Sequence, residues 1–319
     1  METIIFLVQQ TWFFSIPLLI VALGGMYSDR SGVTNIALDG IMIIGAFSSI
    51  FFINQMQDIM SGQPLLLLAV LVSVLSGMIT SLFHAYASIN LKSNQVISGT
   101  ALNMFAPAFA IFTARMVQDN HVQQILFRNT FRIESVPVLG DIPIIGGFFF
   151  QNNYITTYIG FAVLAVAAIV LYKTKFGLRL RACGEHPHAA DSVGINVYRM
   201  RYAGVLISGA LAGLGGLVFV IPTSTNFNAT VAGYGFLALA VLIFGQWKPI
   251  RILFAALFFG LMKTIASTYS GIPLLASLPV PSDIYKMVPY IATLIVLAFT
   301  SKTSQSPKAS GIPYDKGGR

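Results

Sequence analysis

Residues 202–221 read Y-A-G-V-L-I-S-G-A-L-A-G-L-G-G-L-V-F-V-I, twenty residues without a charge. About twenty apolar residues is the length at which an α-helix crosses the hydrocarbon core of a bilayer. Gly204, Ser208, Gly209, Ala212, Gly213 and Gly216 recur here at three- and four-residue spacing. Small residues so placed let two helices approach closely in lipid. The stretch therefore predicts a membrane helix whose small face packs against other helices.

Working outward, the same signature returns at roughly 11–27, 34–53, 64–87, 95–114, 154–172, 233–246, 251–270 and 285–300. Composition agrees: 55% of the 319 residues are hydrophobic and only 9% are charged, where a soluble domain carries about 25%. So few charges cannot wet the surface of a soluble fold of this size. The expected fold class is all-α, a polytopic bundle of eight to ten transmembrane helices over residues 1–300. No basic n-region precedes the first apolar run, so it reads as a retained helix rather than a cleaved signal.

Lys and Arg are unevenly distributed. Arg30, Lys92, the 173–201 segment, Lys248, Arg251 and the tail after Thr300 hold fourteen of the nineteen. The positive-inside rule makes these segments cytoplasmic, with the N-terminus outside and the C-terminus inside. A net charge of +8 laid out this way fits membrane orientation and argues against a nucleic-acid partner. Residues 115–153, with Pro137, Pro143, Gly140, Gly146 and Gly147, read as an irregular external loop. The tail 301–319, rich in Ser, Pro, Gly and Lys, reads as disordered and cytoplasmic. A weak internal likeness links 35–46 and 233–245, each an apolar helix after a polar turn.

Several chemistries are missing. No Gly-Lys-Ser or Gly-Lys-Thr ends a phosphate loop, no His-Glu-x-x-His occurs, and the lone Cys183 excludes a cysteine metal cluster. His186 and His188 do not share a helical face, so no metal is expected. At membrane depth the polar residues that stand out are Asp39, Asn103 and Lys263. Asp39 follows Asn35 by four residues, which on a helix places both on one face. Lys263 is near enough to a helix end to snorkel. A charge at the bilayer centre costs about 2.5–3.5 kcal/mol, so such residues are functional candidates.

The basic segment Arg179–Tyr198 reads R-L-R-A-C-G-E-H-P-H-A-A-D-S-V-G-I-N-V-Y. Pro187 suits a first helical position and Gly194 a C-terminal cap, enclosing a helix of about two turns that must dock on something to be stable. The segment resembles the coupling helix of permease subunits of ATP-binding-cassette (ABC) importers. His188, Ala189, Ala190 and Gly194 match its Glu-Ala-Ala-x-x-x-Gly spacing, with His188 in place of Glu. Residues 16–46, I-P-L-L-I-V-A-L-G-G-M-Y-S-D-R-S-G-V-T-N-I-A-L-D-G-I-M-I-I-G-A, are similar to the first-helix hallmark of simple-sugar and nucleoside permeases, with Asp39 where Glu is usual. Residues 94–103, N-Q-V-I-S-G-T-A-L-N, resemble that branch's fourth-helix signature. Residues 233–247, G-Y-G-F-L-A-L-A-V-L-I-F-G-Q-W, resemble its later Gly-rich helix.

The resemblance implies a non-enzymatic membrane subunit of the bacterial inner membrane. Its partners would be ABC ATPase subunits that bind ATP and magnesium, a second homologous permease in a heterodimer, and an external substrate-binding lipoprotein. It carries over Glu185, Pro187, His188, Ala189, Ala190 and Gly194 as the ATPase-coupling segment, and Asn35, Asp39, Ser98 and Asn103 as the translocation path. Nucleosides or purine bases are the expected substrates. Simple sugars, riboflavin and branched-chain amino acids are the alternatives. An ATP-independent carrier and a membrane-embedded enzyme compete on residues alone, but the first has few intramembrane charges and the second lacks a nucleophile–base pair.

Overall fold

The computed structural model describes residues 2–271 apart from 119, 120, 129 and 144, together with 281–300 and 305–317. Its helices are α1 (Glu2–Ser31), α2 (Leu38–Met56), α3 (Gln63–Ile89), α4 (Gln95–Val117), α5 (Ile155–Lys173), α6 (Lys175–Glu185), α7 (Pro187–Ser192), α8 (Val197–Thr223), α9 (Tyr234–Phe244), α10 (Pro249–Thr268) and α11 (Ser282–Thr300). The nine apolar runs coincide with α1–α5 and α8–α11. Among the described residues, seven helices are long and apolar enough to cross a membrane. The first run extends well past its expected bounds. At 30 residues, α1 is about 45 Å long and exceeds a bilayer core. By contrast α9, with 11 residues, reaches only about 16 Å and cannot cross alone.

The decisive stretch becomes α8, and it lies at the centre. Of its apolar window 72% is buried within the chain, against 17% for α4. Helices α1, α2 and α3 pack most extensively on it. The small residues allow this. A Cβ at Gly213 would collide with the Ser73 carbonyl and the Gly77 backbone of α3, and one at Gly216 with the Met42 carbonyl of α2. The outer helices turn apolar residues away from the core. Leu71, Ile79 and Phe83 of α3 and Phe105, Phe109 and Phe112 of α4 are exposed, the pattern that lipid contact requires.

At one end of the bundle the segment expected as an irregular loop forms two small antiparallel ladders. β1 (Ile125–Leu126) pairs with β4 (Asn226–Phe227), and β2 (Arg132–Ser135) pairs with β3 (Gln151–Tyr154). The segment between β2 and β3 is seated on α1, where Gln9 Nε2 donates to the Gly147 carbonyl at 2.8 Å and Trp12 Nε1 to the Phe148 carbonyl at 3.2 Å, while β1 and β4 lie against α2.

The other end is basic and carries α6, α7 and the tail. The tail corrects the expectation of disorder. Residues 305–317 form no helix or strand, as their composition indicates, yet they are packed. Tyr314 is 4% exposed, and the Ala309 amide donates to the Gly184 carbonyl at 2.8 Å. A single buried aromatic with fixed backbone bonds anchors a segment that a Ser-Pro-Gly-Lys composition alone cannot distinguish from coil. Residues 301–304 lie outside the described set.

Candidate functional site

Two regions gather the residues singled out above. The first is the turn between α1 and α2. Residue Asn35 lies outside the helix: α2 begins at Leu38, and Asn35 Oδ1 accepts the Ala37 amide at 3.1 Å. An Asn that bonds the backbone two residues on diverts the chain from helix. Asn35 and Asp39 therefore do not share a helical face as expected. Asn35 Nδ2 instead donates to Ser208 Oγ on α8 at 2.9 Å.

The amides at the start of a helix need acceptors, and neither α2 nor α9 has a side-chain cap of its own. Each is capped from another helix. Asn103 of α4 accepts the Gly40 amide of α2 at 2.7 Å and donates Nδ2 to the Ile36 carbonyl at 2.9 Å. Asp39 of α2 accepts the Gly235 amide of α9 at 2.9 Å. A Cβ at Gly235 would fall on the Asp39 backbone, so only glycine allows the two N-termini to meet. Asp39 thus stands at two helix N-termini at once, where the dipoles favour a negative charge.

Ser98 supports the same turn indirectly. His84 of α3 places Nε2 3.1 Å from the Thr34 carbonyl and Nδ1 2.9 Å from Ser98 Oγ. A carbonyl can only accept, so Nε2 carries a proton, and Nδ1 shares a hydrogen bond with the Ser98 hydroxyl. The Thr34 amide donates to Gln95 Oε1 at 2.7 Å. Asn35, Asp39, Ser98 and Asn103 are thus brought together around residues 34–40: Asn35 and Asn103 bond the turn directly, Ser98 acts through His84, and Asp39 ties α2 to α9. The two segments with internal likeness also meet here, as the N-termini of α2 and α9.

Beside this junction lies a 480 Å³ cavity between α9, α10 and α11, lined by Tyr234, Phe236, Lys263 and Thr293 among others. Lys263 faces this cavity. Its Nζ lies 5.9 Å from the Tyr234 ring centroid, and that ring packs on Phe219 at 4.2 Å. An ammonium over an aromatic face is held by the ring quadrupole.

The second region is α7 and its flanks. Pro187 occupies the first helical position as the sequence implied. Gly194 has φ +83°. The Gly194 amide donates to the Asp191 carbonyl at 2.9 Å and the Ile195 amide to the Ala190 carbonyl at 3.1 Å. This pair of bonds is a Schellman C-cap, whose left-handed residue is usually glycine. Ala190 is buried, whereas Ala189, Val193 and Gly194 are exposed. Two members of the set have partners inside the chain. Glu185 Oε1 lies 3.5 Å from Arg30 Nη1, and the His188 ring lies 5.1 Å from that of Tyr314.

Sequence reasoning missed a buried polar layer at this end. Asp29 is 6% exposed and accepts from Trp247 Nε1 at 2.7 Å, while Arg30 Nη2 donates to the Trp247 carbonyl at 3.2 Å. Arg201, expected as a loop charge, is 1% exposed. Its register gave a signal, because 201, 204 and 208 lie on the face of α8 that carries buried Gly204 and Ser208. Among the described residues no group of three His, Cys, Asp or Glu side chains could hold a metal ion.

Residues 7–297 match the family model described as the branched-chain amino acid transport system / permease component. The chain belongs to this permease family. It is 42% identical over 316 residues to the guanosine ABC transporter permease protein NupQ of Bacillus subtilis, covering 98% of this chain and 97% of that protein. It is 40% identical over 316 residues to the nucleoside ABC transporter permease protein NupC of Lactococcus lactis, covering 99% and 98%. A second Lactococcus lactis protein, the nucleoside ABC transporter permease protein NupB, is 30% identical over 321 residues, covering 94% and 83%. This permease is therefore a multi-pass membrane subunit of an ABC transporter. The family match ends at residue 297, before the packed tail.

Proposed function

We propose that this permease forms part of the path by which an ATP-driven importer brings nucleosides across the bacterial inner membrane. The observation that carries the substrate class is the 42% and 40% identity, over nearly the whole chain, to permeases named for guanosine and for nucleosides. Two different nucleoside permeases of one organism, NupB and NupC, both resemble it. That supports pairing with a second, non-identical permease. The remaining partners are ABC ATPase subunits, which bind ATP and magnesium, and an external substrate-binding lipoprotein. This chain itself hydrolyses nothing, and its C-terminus faces the cytoplasm.

In this reading the exposed face of α7, with Ala189, Val193 and Gly194, seats on the ATPase. Closure of the ATPases displaces α7 together with Glu185, Pro187, His188 and Ala190. The displacement reaches the junction of α2, α4 and α9, where the Asn103–Gly40 and Asp39–Gly235 bonds hold two helix N-termini. Asn35 and Ser98 keep the adjoining turn in register. Discontinuous helices meeting at N-termini are how transporters present backbone polarity within the membrane. The Tyr234–Lys263 cavity lies alongside, apolar with one cation and two aromatic rings, surfaces that suit a base and its hydrogen-bonding edges.

The test is reconstitution of the complete complex in liposomes, with ATP-dependent uptake of labelled guanosine, other nucleosides and glucose. Nucleoside uptake that requires ATP is expected. It should be lost in Gly194→Pro, because proline cannot adopt φ +83°. Uptake of glucose alone would overturn the substrate class. Uptake without the ATPase would overturn the importer reading itself.

A further inference from the structure

The tail beyond the family match bridges the two regions just described. We propose that residues 305–316 are a positioning strap for transport coupling, in which Tyr314 seats α7 and Ser310 ties that seat to the Thr34 turn. The proposal rests on the importer reading.

Helix α7 has six residues, far below the length at which a helix is stable alone, and it buries only Ala190. Much of its support comes from the tail. Tyr314 closes a small buried cluster with Cys183, Ala190 and Val197. Its ring meets His188 at 5.1 Å and Tyr198 edge-on at 5.6 Å. Lys316 Nζ lies 4.0 Å from Asp191 Oδ1. One side of α7 is therefore covered by residues about 120 positions distant in sequence.

The strap's own backbone is held at two points N-terminal to that contact. Arg201 Nη1 donates to the Ile312 carbonyl at 3.0 Å, and its guanidinium carbon lies 5.8 Å from the Tyr314 ring centroid. Among the described residues Nε and Nη2 of Arg201 have no hydrogen-bond partner, so this buried cation depends on the strap. The Gln305 amide donates to Gln246 Oε1 at 2.9 Å, which fixes the strap to the α9–α10 turn.

The strap's other side reaches the path. Ser310 Oγ and Thr34 Oγ1 share a hydrogen bond of 2.9 Å, and Lys92 Nζ pairs with Asp315 Oδ2 at 2.9 Å. Thr34 is the residue whose amide and carbonyl are held by Gln95 and His84. It directly precedes Asn35 and the turn that ends at the Asp39–Gly235 bond. A displacement of α7 thus has a route of fixed contacts through the Tyr314 ring, the Ile312 carbonyl and the Ser310 hydroxyl to the N-termini of α2 and α9. Packed groups with fixed bonds carry such a displacement; a disordered tail would not.

The experiment compares the reconstituted complex carrying wild type, Tyr314→Ala, Tyr314→Phe and Ser310→Ala. It measures subunit co-purification, ATP hydrolysed and nucleoside taken up. Tyr314→Ala is expected to raise the ATP spent per nucleoside by about fivefold or more, the low end of allosteric coupling. Tyr314→Phe keeps the ring and should restore the wild-type ratio. Ser310→Ala removes the Thr34 link together with the Ser310 side-chain bond to Asp29 and should shift the ratio in the direction of Tyr314→Ala. If Tyr314→Ala fails to assemble, Ser310→Ala decides alone. An unchanged ratio in every assembled variant, or an equal fall in hydrolysis and uptake, would make the strap a fold staple and overturn the proposal. No ATP-driven uptake by the wild-type complex would instead overturn the importer reading, so the two failures are distinct.

Discussion

Asn103 and Asp39 each satisfy an amide that their partner helix cannot satisfy for itself, and the consequences differ in kind. Asn103→Leu leaves the Gly40 amide and the Ile36 carbonyl without their partner, at about 1–3 kcal/mol for each group. A lower melting temperature in detergent is expected, read by thermal unfolding. At position 39 the carboxylate faces one amide of α9, and Asn supplies an equivalent acceptor without the charge. Uptake should therefore rank Asp39 at or above Asp39→Asn, with Asp39→Ala lowest. Asn as inactive as Ala would show that the negative charge, rather than the cap, is what transport uses. Cys183 is 0% exposed, and burial pushes its thiol up to about 11. Because the folded state holds the proton more tightly, this group costs nothing below about pH 9, and stability falls as pH rises from 9 towards 11. Maleimide at pH 7.5 should leave Cys183 unlabelled until the protein is unfolded, since the thiolate is scarce and shielded.

At the scale of elements, α8 sets the architecture and its glycines set α8. Gly213 is in backbone contact with Gly77 of α3, and Gly45 of α2 meets the same residue. Gly213→Leu would push both neighbours away, at the upper end of the roughly 1–3 kcal/mol of overpacking. The expected outcome is loss of folded protein on size exclusion. The short helices obey a different rule. Helix α7 ends where Gly194 turns left-handed, and α9 begins where Gly233 does so at φ +72°. Both boundaries were readable as glycine punctuation. The caps of α2 and α9 were not, because the acceptor for each sits on another helix, 63 residues away for Gly40 and 196 for Gly235.

For the whole molecule, the uneven Lys and Arg count makes a topology prediction. A green fluorescent protein fused after Arg319 should fluoresce, and alkaline phosphatase fused there should be inactive, as for a cytoplasmic end. The opposite result would invert the bundle and remove α7 from any cytoplasmic ATPase. The exposed apolar faces of α3 and α4 suit lipid or a second permease, so solution behaviour should depend on detergent and on the partner chain.

The sequence by itself determined the membrane bundle, the apolar helices found among the described residues, the close-packing role of the α8 glycines and the short helix from Pro187 to Gly194. These are local properties: apolar length, small-residue spacing and terminal punctuation act within one segment. Tertiary structure decided the rest. It took Asn35 out of α2, buried Asp29 and Arg201, set Asp39 against α9 and seated a tail of coil-like composition on α7. Each of these depends on a hydrogen bond or ring contact between residues far apart in the chain. Residue type fixes what a side chain can bond, and only the fold fixes which partner comes within reach.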